Sequence, residues 1–337
     1  EDYQLQNNKR IAFGKLDVIY NISKTKILEA TTKYNSGNFN DTSNLLFNGN
    51  STIENLQHQN TLFDQKVSYT NKFKDKKVFL LTGRFINEKT PQNYTINQFF
   101  YQDLFPANSN ANNVSQKSTN QMQFAGVNAH LLDRKDNGHL LELQLGNEFR
   151  KDRLESTFSL LEDNTVLEQP NGYQNETNYQ VNDLYFKSKY RLKIKDFGIV
   201  GKLDIHKLFN RLENNNISSN QNPFFINPSL GFDWKINDKN KITSSYSYNT
   251  TNAKVLDVFS DFVLTGFRSF SKGTGNFNQL DASSVVFNYQ LGNWSDRFFA
   301  NTFIFYSKNH DFFSTNTTIE QNFTQAEKIL IKDREFI

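Results

Sequence analysis

The stretch "LGFDWKINDKNKITSSYSYN" (230–249) decides how this chain is read. Leu230, Phe232, Trp234 and Ile236 fall on one side of its first half, and Gly231, Asp233 and Lys235 on the other. Beyond Asn237-Asp238-Lys239-Asn240, the residues Ile242, Ser244, Tyr246 and Tyr248 alternate in the same way against Thr243, Ser245 and Ser247. A period of two on both sides of a knot of turn formers predicts a β-hairpin. What its apolar side faces, a protein core or something else, depends on the rest of the chain.

The composition favours strands throughout. With 337 residues the chain is long enough for two ordinary domains or one large all-β structure. It is polar on average, with a mean hydropathy of −0.68, yet 15% of its residues are aromatic, which separates it from disordered sequences. The chain favours Phe, Tyr, Ile, Val, Thr, Asn and Ser, while Pro is scarce and Met122 is the single methionine, the mixture expected of strands joined by polar loops. The absence of Cys excludes disulfides, thiolate metal sites and a cysteine nucleophile. A net charge of +3 with scattered Lys and Arg provides no basic face for nucleic acid, so no nucleic-acid partner is expected. No run of 18 apolar residues exists to form a transmembrane helix. The chain opens on Glu1 without a signal peptide and is expected to be a trimmed or partial product.

Short polar turns recur every 45 to 60 residues: 21–26, 73–77, 133–138, 193–196, 237–240 and 292–296. Between them lie longer polar connectors, over about 36–58, 88–119, 151–180, 210–225 and 250–280. The predicted strand runs are 11–20, 26–35, 60–71, 77–87, 120–132, 139–150, 182–194, 197–209, 226–236, 241–249, 282–291 and 297–308, with a thirteenth at 326–333. Most are nine to thirteen residues long, which suits a tilted strand crossing a bilayer better than a strand in a soluble sheet. Facial alternation agrees: Leu141, Leu143 and Leu145 oppose Glu142, Gln144 and Glu148, and Ile199, Leu203 and Ile205 oppose Lys202, Asp204 and His206. Short turns at one end and long loops at the other predict an all-β, transmembrane, antiparallel up-and-down β-barrel. Tyr20, Tyr34, Tyr69, Phe85, Trp234, Tyr248 and Tyr306 are the candidates for aromatic belts at the membrane interfaces.

Four segments carry a resemblance: "LLTGRFINEKTPQNYTINQFFYQDLF" (80–105), "LLDRKDNGHLLELQLGNEFRKDRL" (131–154), "NPSLGFDWKINDKNKITSSYSYN" (227–249) and "LTGFRSFSKGTG" (264–275). Together they resemble the barrel region of TonB-dependent outer-membrane receptors of the Bacteroidetes-type group. The resemblance implies a 22-strand barrel, of which residues 1–337 supply about 12–14 strands, with the plug domain and final strands outside the chain. It also implies a bacterial cell outer membrane location, surrounding outer-membrane lipid, and TonB acting through the plug. The implied activity is uptake of a nutrient such as a metal chelate, glycan or peptide. A second reading is a non-transporting scaffold subunit partnered by a surface lipoprotein. A third is a soluble secreted β protein.

No enzyme, cofactor or metal site is expected. The histidines His58, His130, His139, His206 and His310 are dispersed. "DRKDNG" places Lys135 where a calcium loop needs an oxygen ligand and Gln144 where it needs Glu, and "KGTGNF" (272–277) lacks the third glycine of a dinucleotide fingerprint. One cluster is a candidate ligand surface: Phe99, Phe100, Tyr101 and Phe105, in or beside a long connector, could stack on a sugar or grip a peptide. The alternative is that they pack within the loop or join the upper aromatic belt.

Overall fold

The computed structural model describes residues 2–47, 50–74 and 76–336, so Asp75 of the predicted turn at 73–77 lies outside the described residues. The first strands are β1 (Asp2–Asn21), β2 (Lys26–Phe47), β3 (Asn50–Lys72), β4 (Lys77–Ile96), β5 (Asn113–Arg134) and β6 (Leu140–Glu162). Then follow β7 (Thr165–Glu168), β8 (Gln174–Ile194), β9 (Phe197–Asn214), β10 (Ile217–Gln221), β11 (Phe224–Lys235) and β12 (Asn240–Asn252). After the short helix α1 (Val255–Val258) come β13 (Val263–Gly266), β14 (Ser269–Lys272), β15 (Gln279–Leu291), β16 (Ala300–Ile319) and β17 (Thr324–Phe336).

All seventeen described strands belong to one sheet. Four are short (β7, β10, β13 and β14), and the other thirteen form an antiparallel up-and-down wall running from β1 to β17. The sheet is not closed: among the described residues β1 and β17 do not pair with each other.

The opening hairpin forms as its pattern predicts. Leu230 lies opposite Tyr246, Phe232 opposite Ser244 and Trp234 opposite Ile242, so the apolar residues of both strands share a face. Its turn is closed by Asn237, whose side-chain oxygen accepts from the amides of Lys239 and Asn240 at 2.9 Å each, an Asx turn.

Strand length is where the structure departs from the sequence pattern. From β1 to β9 the predicted runs are the lower parts of much longer strands; β2 and β5 have 22 residues and β6 has 23, whereas β11, β12 and β15, with 12, 13 and 13, stay close to the predicted lengths. Most of the connectors expected at 36–58, 151–180 and 210–225 continue the ladder instead of looping. In the last two, tight turns replace them: Asp163-Asn164 and Asn215-Asn216 all have positive φ, the geometry of two-residue type I′ hairpins, while residues 48–49 of the first lie outside the described residues. A strand needs only about 9–11 residues to cross a bilayer. Beyond that length water lies on both faces, so alternation disappears from the sequence while backbone pairing continues.

Register carries the facing of side chains from strand to strand, because directly opposed residues share a face. Following it outward gives one apolar band. It holds Leu81 and Phe85 on β4, Val127 on β5, Leu143 and Leu145 on β6, Leu184 and Phe186 on β8, and Leu203 and Ile205 on β9. The band ends abruptly: above Ala125 come Gln123, Gln121 and Thr119, and above Phe149 come Lys151, Arg153 and Glu155. The inward face at band height is polar and ion-paired. Arg84 donates twice to Asp64 at 2.9 Å, Lys189 to Glu142 at 2.9 Å, and His206 Nδ1 lies 2.8 Å from Asp183. Gly146 is required here, because a Cβ would lie 2.5 Å from the Tyr185 ring that covers it. Apolar outside and polar inside, this is the wall of a transmembrane β-barrel.

Candidate functional site

At the end of the wall away from the short turns, the connector 253–278 folds inward across the concave side. It leaves β12 through a bond from the Ala253 amide to the Asn278 carbonyl (2.9 Å) and buries Val255 and Val258 of α1 among Leu154, Tyr179 and Leu212. These three side chains come from the inner faces of β6, β8 and β9. Buried Asn214 holds the connector in two places, donating to the carbonyls of Val258 (3.1 Å) and Gly275 (3.2 Å). Asn175 and the Asp261 backbone exchange two further bonds at 3.0 and 2.9 Å. The connector also meets β17: β14 pairs with it in parallel, and Lys328 of β17 donates to Asp257 of α1 at 2.5 Å. Burial raises the pKa of the Asp261 carboxyl above the ordinary value, with an opposing hydrogen bond from Asn215.

A dense aromatic core sits beside the connector. Tyr101, Phe158 and Phe270 are fully buried or nearly so, with ring centroids 5.1 to 6.2 Å apart, and Phe105 and Tyr173 lie 5.0 Å from each other. Phe99, Tyr101 and Phe105 are buried in this core. Phe100 is half-buried, edge-on to Phe267 at 5.0 Å, with the Arg268 guanidinium 4.7 Å from its ring. Edge-to-face rings and a capped cation reinforce each other beyond simple area burial.

Between this roof and the inner wall of β1 to β5 lies a cavity of about 430 Å³. Asp41, Ser43, Glu54, Gln92, Tyr94 and Gln116 are among its polar groups, and Leu56 and Leu264 form part of its apolar wall. Glu54 accepts from the Tyr94 hydroxyl and from Ser43 (3.3 Å). Burial, then the neighbouring Glu54, pushes the Tyr94 pKa up. One carboxylate oxygen of Asp41 meets no donor among the described residues. The roof is pinned by Gln116, whose side-chain oxygen accepts from the Leu264 amide at 3.1 Å.

The seven aromatics expected at the membrane interfaces all project from the outward face by register. Tyr20, Tyr69 and Trp234 lie near the short turns. Tyr34, Phe85 and Tyr248 each lie eight residues past the start of their strands at Lys26, Lys77 and Asn240, and Tyr306 lies six past Ala300. The histidines stay apart, and among the described residues no three His, Asp or Glu side chains gather as a metal site. Sequence reasoning missed the cavity, because Asp41, Glu54 and Tyr94 come from three strands in a region without alternation. The inward fold did leave a signal: Phe259, Phe262, Phe267, Phe270 and Phe277 within one connector are too many for a solvated loop.

No protein-family model matches the chain. No curated protein matches it by sequence. Among solved structures, it is similar to FpvA of P. aeruginosa bound to heterologous pyoverdines, with a TM-score of 0.51 and 10% identity, covering 97% of this chain and 52% of that one. It is similar also to the ferric citrate transporter FecA in its unliganded form, with a TM-score of 0.50 and 9% identity, covering 90% of this chain and 49% of that one. The chain therefore spans about half the length of these structures. At such identities the likeness is one of fold, and it agrees with the barrel wall derived above.

Proposed function

We propose that the chain is barrel wall from a TonB-dependent receptor of the bacterial outer membrane, in the Bacteroidetes-type group, and that the receptor imports a scarce nutrient. The observation that carries this reading is the sharp outward apolar band opposite an ion-paired inner face, with a roofed cavity above it. TonB would act through a plug domain, and the barrel would contribute a lipid-stable wall and the cavity. The cavity supports a choice among cargoes. Asp41, Glu54 and two glutamines are acceptor-rich and acidic, so a ligand bearing N–H and O–H groups, a glycan or peptide, fits better than an anionic metal chelate. Within the aromatic cluster, Phe99, Tyr101 and Phe105 would hold the roof, and half-buried Phe100 would be the member that reaches ligand. The seven outward aromatics would anchor the wall at the two membrane interfaces.

Deleting the gene and profiling growth on single nutrients tests the reading. Loss of growth on one glycan or peptide source, reproduced by Asp41→Ala/Glu54→Ala, is the expected result. An unchanged profile together with defective assembly of other outer-membrane proteins would favour a scaffold partnered by a surface lipoprotein instead.

A further inference from the structure

Near the short turns the inner face carries its charge unevenly. On β8 the outward residues Leu184 and Phe186 set the alternation, so Lys187, Lys189, Arg191 and Lys193 all face inward. They form a column of four cations at every second residue, about 20 Å long at roughly 3.3 Å per residue, descending to the turn at 195–196. Lys202 of β9 adds a fifth, directly opposite Lys189. Like charges in that arrangement destabilise a sheet.

Acids answer only part of this charge. Lys189 pairs with Glu142 at 2.9 Å and Arg191 with Asp233 at 3.3 Å. Lys187 lies over the Tyr185 ring at 4.7 Å, and among the described residues Lys187, Lys193 and Lys202 enter no ion pair. The buried Nε of Arg191 meets no acceptor among the described residues. Beside the column the wall is low. Gly198 lies opposite Lys193, Val200 opposite Arg191 and Ser229 opposite Lys202, and Gly231, Ser245 and Ser247 extend the row of small residues across β11 and β12. The long cations therefore stand along one side of a shallow polar furrow that runs to the short-turn end of the wall.

We propose that this furrow binds carboxylate groups and that the cargo passing the wall carries one, an inference that rests on the uptake reading above. A phosphate site would converge several donors on one group, whereas these cations are spread one per rung and suit single negative charges taken in turn. An anion between Lys189 and Lys202 also offsets their mutual repulsion. The ligand class narrows accordingly to acidic peptides and uronic-acid glycans, whose N–H and O–H groups suit the cavity above and whose carboxylates suit the furrow below.

The chain has no cysteine, so Ser229→Cys places a thiol in the furrow directly opposite Lys202. The test uses purified full-length receptor in detergent and follows modification of that thiol by N-ethylmaleimide, with the unsubstituted receptor as blank. The probes are hexaglutamate and hexagalacturonate, and hexaglutamine is the uncharged control. Saturating acid probe should slow modification about tenfold, and hexaglutamine should leave it unchanged. Protection by one acid alone supports the proposal and assigns the carboxylate to peptide or to glycan. Protection should vanish in Lys187→Gln/Lys193→Gln/Lys202→Gln and persist in Lys24→Gln/Lys74→Gln, at turn tips. Equal slowing by hexaglutamine, no slowing by either acid, or unchanged protection in the triple variant overturns the proposal. A thiol that stays unreactive without any probe is covered in the receptor, which overturns it too. A gel band that shifts on boiling shows that each variant is folded. Protection is read on purified protein, so its failure is separate from a failure of the growth profile, which bears on uptake itself.

Discussion

The lower and upper parts of the same strands obey the same backbone rule and opposite side-chain rules. On β5 the outward positions Leu131, Ala129, Val127 and Ala125 give way to Gln123, Gln121, Thr119 and Lys117, while pairing with β6 continues unbroken from Arg134 to Asn113. Hydrogen bonding sets the ladder, and the surrounding solvent sets the residues. The upper part therefore needs its own source of stability, and it has one: the inward connector and the aromatic core build a small interior where the lower part has only lipid on one side and polar groups on the other.

Phe158→Ala tests that division most severely. It removes a fully buried ring from the upper core and should cost about 3–5 kcal/mol there. Hydrogen exchange should rise around 96–114 and 262–270, while the boiling-dependent gel shift persists. Loss of the shift as well would mean that the two parts unfold together. Leu145→Arg, in the middle of the apolar band, should cost about 2–4 kcal/mol in chemical unfolding from lipid vesicles. Gln121→Arg, above the band, should fall within about 0.5 kcal/mol of wild type. Equal costs would erase the border between the parts.

Asn214→Ala removes both bonds to the connector and leaves two carbonyls without that donor, at a cost of about 1–3 kcal/mol. Limited proteolysis should then nick the chain within 253–278 first. The smallest effect is pH-dependent. Because burial raises the pKa of Asp261 in the docked connector, protonation favours docking. That stability is fully present below the carboxyl's ordinary value and is lost as pH rises through its docked value. Exchange rates at 255–264, corrected for intrinsic rates, should show slightly better protection at pH 4 than at pH 7, and Asp261→Asn should remove the difference.

What was legible in the sequence follows from the same contrast. The hairpin at 230–249 could be read because lipid on one side and water on the other imprint a period of two. The thirteen-strand wall and the outward facing of Trp234 and Tyr248 follow from repeats of that imprint. The upper strands could not be read: Asn38 and Phe39, or Gln57 and His58, project to opposite sides of a sheet that is wet on both. The candidate site was only half legible. Phe99, Phe100, Tyr101 and Phe105 stand out as a cluster in the sequence, but their partners Phe158, Tyr173 and Phe270 are distant in sequence and meet them only in the fold.

The connector also has a mechanical consequence. It is held at Asn175 and Asn214 on one side and at β17 on the other, so it spans the arc of wall from β8 to β17 as a chord. Flattening that arc lengthens the chord and must break the Lys328–Asp257 bond, the β14–β17 pairing or the asparagine clasps. The aperture of the mouth and the docking of the connector are therefore a single variable: whatever loosens one widens the other.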